Sequence, residues 1–308
     1  MKLISENLHI ISKTTKEAVL NRDENYIKAL LKKQIQTNPD WIDLNIGPAR
    51  ANFEGTMKWL VNIVQEMTDI PLSLDTTNAK EIKDGLLLAK NPDRWIINST
   101  TADSERLENV TDLAYEFSSN IIALTMNSEL GIPKESDKRL ELAFEIIEKT
   151  TEKGIDNEKV FFDPLILPVS IDQSQAVEAL NTIRMLKESF EPQVMTTIGL
   201  SNVSNGSPKE MRNLINQVFL VMAMGCGIDS AIVDSFDSEL LRVVEVINSQ
   251  KPQKLYDRLL IDIYTMTASF EDLDSINFDK NDKAQLEIYK TAEILLNKKV
   301  YSHSYLEI

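Results

Sequence analysis

The sequence predicts an α/β fold, a (β/α)8 barrel formed as a single domain over residues 1–308, with a helical insertion at 246–288 inside the eighth unit. Two observations carry that expectation. Short β-rich apolar runs alternate with amphipathic stretches of helical period, and eight such strand–helix units can be counted along the chain. Consecutive units of this kind force parallel strands joined by helical crossovers, and eight of them close into a barrel. A doubly wound open sheet is the alternative, and the unit count favours closure. A chain of 308 residues suits one such barrel or two average domains.

Taken in order, the strand candidates are LHIIS (8–12), WIDLNIG (41–47), PLSLDT (71–76), RWIINST (94–100), NIIALTMN (120–127), KVFFDPLIL (159–167), MTTIGLSN (195–202) and SAIVDSF (230–236). Each is short, rich in β-branched residues and bounded by turn formers. Between them lie ENYIKALLKKQIQ, TMKWLVNIVQEM, KRLELAFEIIEKTTEK and KEMRNLINQVFLVMAMG, which repeat apolar residues at helical spacing. The regularity breaks after LLRVVEVINSQ. An acidic stretch carrying Phe270 and Phe278 intervenes before a final helix, EIYKTAEILLNKKVY.

Composition narrows the function. The net charge of −15 repels phosphate backbones and anionic lipid, so neither nucleic acid nor a membrane surface is expected as a partner. The lone cysteine, Cys226, sits among small helical residues and reads as a small hydrophobe. The opening MKLISENLH lacks the apolar stretch of a signal peptide, and no run approaches membrane-spanning length, which points to the cytoplasm.

In a parallel barrel the chemistry sits at the carboxyl ends of the strands. Those ends carry Asp43 and Asn45, Asp75, Asn98, Asn127, Asp163, Asn202 and Asp234, with hardly a His, Cys, Lys or Arg among them. The only histidines are His9 and His303, so a Ser–His–Asp set is implausible, and no phosphate-cradling glycine motif occurs. A divalent metal prefers oxygen ligands and remains an alternative, although carboxamides bind it less well than carboxylates. A ring of Asp and Asn better suits a heterocycle rich in donors and acceptors. A 2-amino-4-oxopyrimidine shows an amino group and a ring N–H side by side, and one carboxylate accepts both.

An Asp or Asn ending a strand is also often a helix cap or loop former, and Asp43, Asp234 and Asn127 fit that plainer role. Asp75 is followed by Thr76, Thr77 and Asn78, any of which could cap the next helix and free Asp75. Asp163 lies within VFFDPLILP, and Pro164 follows it with no helix start nearby. Burying that carboxylate is costly unless something pairs with it, and the ligand answers the need only if no cation of the chain already does.

DLNIGPA, MKWLVNIVQE, LSLDTTN, INST, LTMN, GIPK, DPLILP, GLSNVS, LIN and TAEILLN occur in this order. Together they closely resemble the methyltetrahydrofolate:corrinoid/iron–sulfur protein methyltransferases, within the pterin-binding family that also contains dihydropteroate synthase. The likeness runs from the first strand to about Asp237 and resumes at Thr291. It implies a dimeric (β/α)8 barrel in which Asp75, Asn98 and Asp163 hydrogen-bond a pterin. Gly199 and Ser201 would line the same pocket, Asn202 would reach the pterin's nitrogen 5, and Arg212 would stand at the pocket mouth. The implied reaction moves a methyl group from methyltetrahydrofolate to the cobalt(I) of a corrinoid (cobalamin) held by a partner protein. This chain would then need no metal, thiol or nucleophile of its own, and water would supply the proton for nitrogen 5 through Asn202. A non-catalytic folate-binding or docking subunit is the alternative. A dihydropteroate synthase is disfavoured, because the last strand ends VDSFDS, without the Arg-x-His of that enzyme.

Departures from the family pattern leave the partner open between the iron–sulfur corrinoid protein and that of a demethylase system. The usual Gly-Glu-Arg-Ile-Asn opening is SENLH here, keeping Glu6 but placing Asn7 where the family has Arg. The NGSPKE loop also differs, and the insertion has no counterpart in short family members.

Overall fold

The computed structural model describes residues 1–49 and 53–307. The strands are β1 (Lys2–His9), β2 (Trp41–Gly47), β3 (Leu72–Thr76), β4 (Ile96–Thr100), β5 (Asn120–Leu124), β6 (Val160–Asp163), β7 (Met195–Thr196) and β8 (Ser230–Val233). Their order in the sheet is β7-β6-β5-β4-β3-β2-β1-β8, every ladder parallel. Between β7 and β8 a single parallel bridge, Gly199 to Ile232, joins the two edges and nearly closes the barrel.

The helices are α1 (Lys13–Leu20), α2 (Glu24–Gln36), α3 (Thr56–Met67), α4 (Ala79–Leu86), α5 (Ser104–Phe117), α6 (Ser136–Glu152), α7 (Val169–Asp172), α8 (Ser174–Ser189), α9 (Lys209–Gly225), α10 (Ser238–Ser249), α11 (Asp257–Ala268) and α12 (Lys283–Leu295). Side chains start several of them. Asp23 accepts from the Tyr26 amide at the head of α2, Asn78 from Lys80 and Glu81 at α4, and Asp237 from Glu239 and Leu240 at α10. Residues 246–288 hold the end of α10, all of α11 and the approach to α12. Leu259, Leu260, Ile263 and Met266 of α11 bury into the same apolar cluster as α9.

The barrel interior is layered. Ile4, Trp41, Ile96, Ile122 and Phe161 pack together as an apolar floor, with Trp41 edge-on to Phe161 at 6.1 Å between ring centroids. Leu124, Met195 and Ile232 lean on the same floor. Side chains of a strand alternate between faces, so residues two positions on share the inward face one level higher. That level carries Asp43 above Trp41, Asn98 above Ile96, Asp163 above Phe161 and Thr197 above Met195. The outward residues, such as Ile42, Leu44, Leu74, Ile97 and Phe162, are fully buried under the helices. The barrel is therefore a cup, blind at its amino end and polar towards its mouth.

Several strand expectations need correction at their ends: the fifth, sixth and eighth strands stop at Leu124, Asp163 and Val233, short of 127, 167 and 236, and at the sixth Pro164 brings no N–H to continue the ladder. The first strand is Lys2–His9, not 8–12. The most apolar run, LHIIS, overlaps it only at Leu8 and His9 because Ile10 and Ile11 already form the turn into α1, while the alternating LISENLH pairs with β2 and β8. The seventh strand stops at Thr196, well short of 202, because Leu200–Asn202 coil into a 3-10 turn.

Candidate active site

The mouth is assembled from neighbouring strand ends. On β3 and β4, Asp75 and Asn98 are register partners, and Asn45 of β2 pairs with Asp75 on its other side. The Asn45 carboxamide donates to Asp75, and its oxygen accepts from the Gly47 amide at 3.1 Å, so its orientation is fixed from both ends. Asn78 caps α4, which leaves Asp75 without a capping duty. Burial raises the Asp75 carboxyl well above the usual carboxylate range, the Asp43 charge adds to this, and Arg106 opposes it.

Asp43 does not play the plain capping or loop role expected of it. Its carboxyl is buried in the barrel, accepting from Ser73 Oγ at 2.5 Å and from Asn98 Nδ2 at 3.2 Å. It fixes the Asn98 amide with the oxygen free to face the cup. Burial pushes Asp43 up to about 6 against the pull of those two hydrogen bonds. Asp234 and Asn127 do fit the plainer role, since each accepts a backbone amide of its own loop, Phe236 and Leu130 respectively.

Across the cup, Asp163 ends β6 and is 5% exposed. It caps no helix. Its Oδ1 accepts from the Leu165 amide at 2.8 Å, and the Gly199 backbone also donates to it. Burial raises its carboxyl to about 6, while those amides and the more distant Arg139 lower it. No cation of the described residues forms an ion pair with it, which is the condition set by the sequence. Beside it, the Thr197 hydroxyl is buried and has no hydrogen-bond partner among the described residues.

The loop after β7 brings Gly199, Ser201 and Asn202 to the rim. A Cβ added at Gly199 would stand 3.0 Å from Asn202 Nδ2, so the glycine lets the carboxamide fold over the backbone. Ser201 Oγ donates to Glu6, the inward side chain at the bulge of β1. Burial lifts Glu6 to about 7, helped by the charges of Asp43 and Asp234 and opposed by the Ser201 bond. Asn7, standing where the family has Arg, donates to Asp234 and brings no charge. Arg212 stands apart on the first turn of α9, exposed, with Nε donating to the Ser207 carbonyl at 2.8 Å.

Sequence reasoning thus placed Asp75, Asn98, Asp163, Gly199, Ser201 and Asn202 around one opening. It did not assign Glu6, Asp43, Asn45 or Thr197 to the site. For Asp43, Asn45 and Thr197 the available signal was the period-2 register, which continues the inward face of a strand expected to end in the cup; Glu6 lay outside the expected first strand and gave no such signal.

A parallel barrel whose mouth is lined by strand-end carboxylates and carboxamides above an apolar floor belongs to the barrel proteins that hold a small polar ligand at the carboxyl face. The chain belongs to the Pterin binding enzyme family, which its residues 12–234 match. It is similar to the methylcorrinoid:tetrahydrofolate methyltransferase of Eubacterium limosum, 26% identical over 246 residues that cover 79% of this chain and 89% of that one. It is also similar to the methionine synthase of Mycobacterium leprae (strain TN), 28% identical over 260 residues, which are 80% of this chain but 21% of that longer protein. Among solved structures, the Yersinia pestis dihydropteroate synthase with a sulfonamide drug complex superposes with a TM-score of 0.59 at 14% identity, over 81% of this chain and 94% of that one. The Xanthomonas albilineans dihydropteroate synthase with 4-aminobenzoic acid gives 0.59 at 15% identity, over 81% and 93%. At that identity the likeness concerns the fold.

Proposed function

We propose that this protein catalyses reversible methyl transfer between nitrogen 5 of methyltetrahydrofolate and the cobalt of a corrinoid carried by a partner protein. The observation that carries the reading is Asp163, a buried carboxyl that faces a polar cup with amide donors but no paired cation among the described residues. A pterin's amino edge supplies the missing donors. Asp75 and Asn98 would take the other polar atoms of the ring, and Arg212 is free at Nη1 and Nη2 to meet the folate's acidic tail. The two relatives named for tetrahydrofolate methyl transfer and for methionine synthesis support this substrate class.

The chemistry follows from the leaving group. A tertiary amine leaves poorly, so nitrogen 5 must gain a proton or a strong hydrogen bond as its bond to the methyl carbon breaks. Asn202 would hold that nitrogen. Beside it, Glu6 reaches the rim through Ser201 with a carboxyl that still carries a proton near neutrality. In the forward direction the electron pair of the broken bond stays on nitrogen 5 and takes a proton from the Glu6 side. In reverse the carboxylate takes it back. The cobalt(I) corrinoid supplies the electron pair that receives the methyl group, which is why this chain needs no nucleophile. Ile11, Leu130 and Phe236 are exposed on the loops after β1, β5 and β8, and Ile171 is exposed on the short α7 that follows β6, an apolar rim of the kind a docking protein covers.

The test is spectroscopic: methylation of cob(I)alamin by methyltetrahydrofolate, followed with the wild-type chain and two variants. Asp163→Ala should abolish folate binding, while Asn202→Ala should bind folate and transfer slowly even at saturation. Full activity of Asp163→Ala would end the reading, and binding without transfer by the wild type would make the chain a folate carrier.

A further inference from the structure

Arg139 is the largest fully buried side chain among the described residues, and nothing in the site as described uses it. It lies in the first turn of α6, where the helix dipole disfavours a cation. A guanidinium taken out of water in such a place is retained only if its bonds and its charge are both needed. Its hydrogen bonds all go to neutral oxygens: Nε to the Pro133 carbonyl at 2.8 Å, Nη1 to the Leu165 carbonyl at 3.1 Å, and Nη2 to Gln175 Oε1. Gln175 is itself buried and held by the Lys134 carbonyl at 3.3 Å. The guanidinium therefore ties the loop before α6, the turn after β6 and the head of α8 to one point.

The turn after β6 is the informative end. Leu165 has φ +61°, a left-handed conformation that costs a residue with a Cβ about 1–2 kcal/mol. In that conformation its carbonyl meets Arg139 while its amide points at Asp163 Oδ1, 2.8 Å away. The same residue thus links the buried cation to the carboxylate at the bottom of the cup.

We propose that Arg139 is the positioning residue of the ligand-binding carboxylate: it fixes the Leu165 turn that aims Asp163, and its guanidinium, bound only to neutral oxygens among the described residues, lends positive charge to the surroundings of that carboxylate. The proposal rests on reading Asp163 as the pterin's partner. Among the described residues, Arg139 is the charged group that acts on Asp163. Arg139 in turn feels Asp163, Glu178 of α8 and Glu135. Glu178 accepts the Ser136 amide and Glu135 is exposed, so neither neutralises the guanidinium by contact.

The experiment uses the full chain, with methyltetrahydrofolate affinity measured from pH 5.5 to 8.5 for wild type, Arg139→Met and Arg139→Lys. Wild-type affinity should fall as the pH drops through about 6, where Asp163 takes up its proton. Loss of the nearby charge should move that midpoint up by about one unit in Arg139→Met, an affinity loss of about fivefold at pH 6 that largely recovers by pH 8.5. Arg139→Lys keeps the charge without the three-way fork, so it should weaken binding by a similar factor at every pH with the midpoint unmoved. An equal loss at all pH values in Arg139→Met would reduce Arg139 to a structural staple and overturn the proposal. So would a lysine variant with wild-type affinity or with its midpoint raised, and that arm decides if the methionine variant does not fold. Should the wild type not bind methyltetrahydrofolate, the site reading has failed. The Arg139 proposal is then judged on the ¹³C titration of the Asp163 carboxyl, which must still rise when Arg139 loses its charge.

Discussion

At the scale of single residues the site is defined by carboxyls that hold their protons unusually well. In the proposed reaction Glu6 is the one given a chemical task, because its carboxyl joins Ser201 beside Asn202 and is raised by burial to about 7. A general acid of that strength loses its proton as the pH rises through 7, so forward transfer should slow there and reverse transfer should quicken. Glu6→Gln should bind methyltetrahydrofolate normally, transfer its methyl group about a hundredfold more slowly, and show a flat pH–rate profile around neutrality. A profile that still bends near 7 in the variant would move the proton source to water. Glu6 was visible in the sequence only as a surviving letter of a family motif. Its role depends on Ser201, 195 residues away along the chain, and no local pattern announces that pairing. Asp163 was legible for the opposite reason. A charge in the middle of an apolar run contradicts its surroundings, and the contradiction is local.

At the scale of elements, legibility followed periodicity. The helices α2, α3 and α9 begin and end where their apolar spacing places them. Strand ends were less legible, because a strand's length is set by its neighbours' hydrogen bonds and not by its own composition. LHIIS is more apolar than LISENLH, yet only the second finds partners on both sides. The acidic stretch after α10 reads in the sequence as a helical insertion whose helix ends are not marked, and the structure places α11 there and shows what anchors it. Arg242 of α10 donates to both oxygens of the buried Asp257, at 2.7 and 2.8 Å, and to Glu239. Backbone amides of Gln253 and Lys254 complete the Asp257 shell. Asp257→Asn leaves the volume unchanged but breaks the charge match, so it should cost about 1–3 kcal/mol in a thermal or denaturant melt. Folate affinity should stay as it was, since α11 packs on α9 and α10 away from the mouth. An unchanged melt would show that the fork contributes nothing net.

The whole molecule inherits a pH dependence from the buried carboxyls of its cup. Glu6, Asp43 and Asp163 are raised to about 7, 6 and 6, so between about pH 4 and 7 the folded chain binds more protons than the unfolded one. Stability then falls as the pH rises through that window. The surface groups act in the other direction and lower down: Asp103, Glu108 and Asp272 are lowered, so the stability they contribute is lost only as the medium becomes strongly acid. The ligand-free protein should therefore melt higher at pH 5.5 than at pH 8, by roughly 2 °C or more. Bound methyltetrahydrofolate should shrink the difference, because the ligand stabilises the carboxylates that burial in the cup disfavours. A melting temperature that climbs from pH 5.5 to 8 without ligand would contradict this picture of the site.

The apolar floor of Ile4, Trp41, Ile96, Ile122 and Phe161 has a consequence for the order of events. A plugged barrel has one door. Whatever lies in the cup must enter before a second protein covers the rim, and it departs only after that protein has lifted away. On the proposed function, turnover on such a scaffold would be sequential and compulsory in order, with folate first on and last off. The partner's grip on the rim, more than the strength of any bond in the cup, would then set the pace of the cycle.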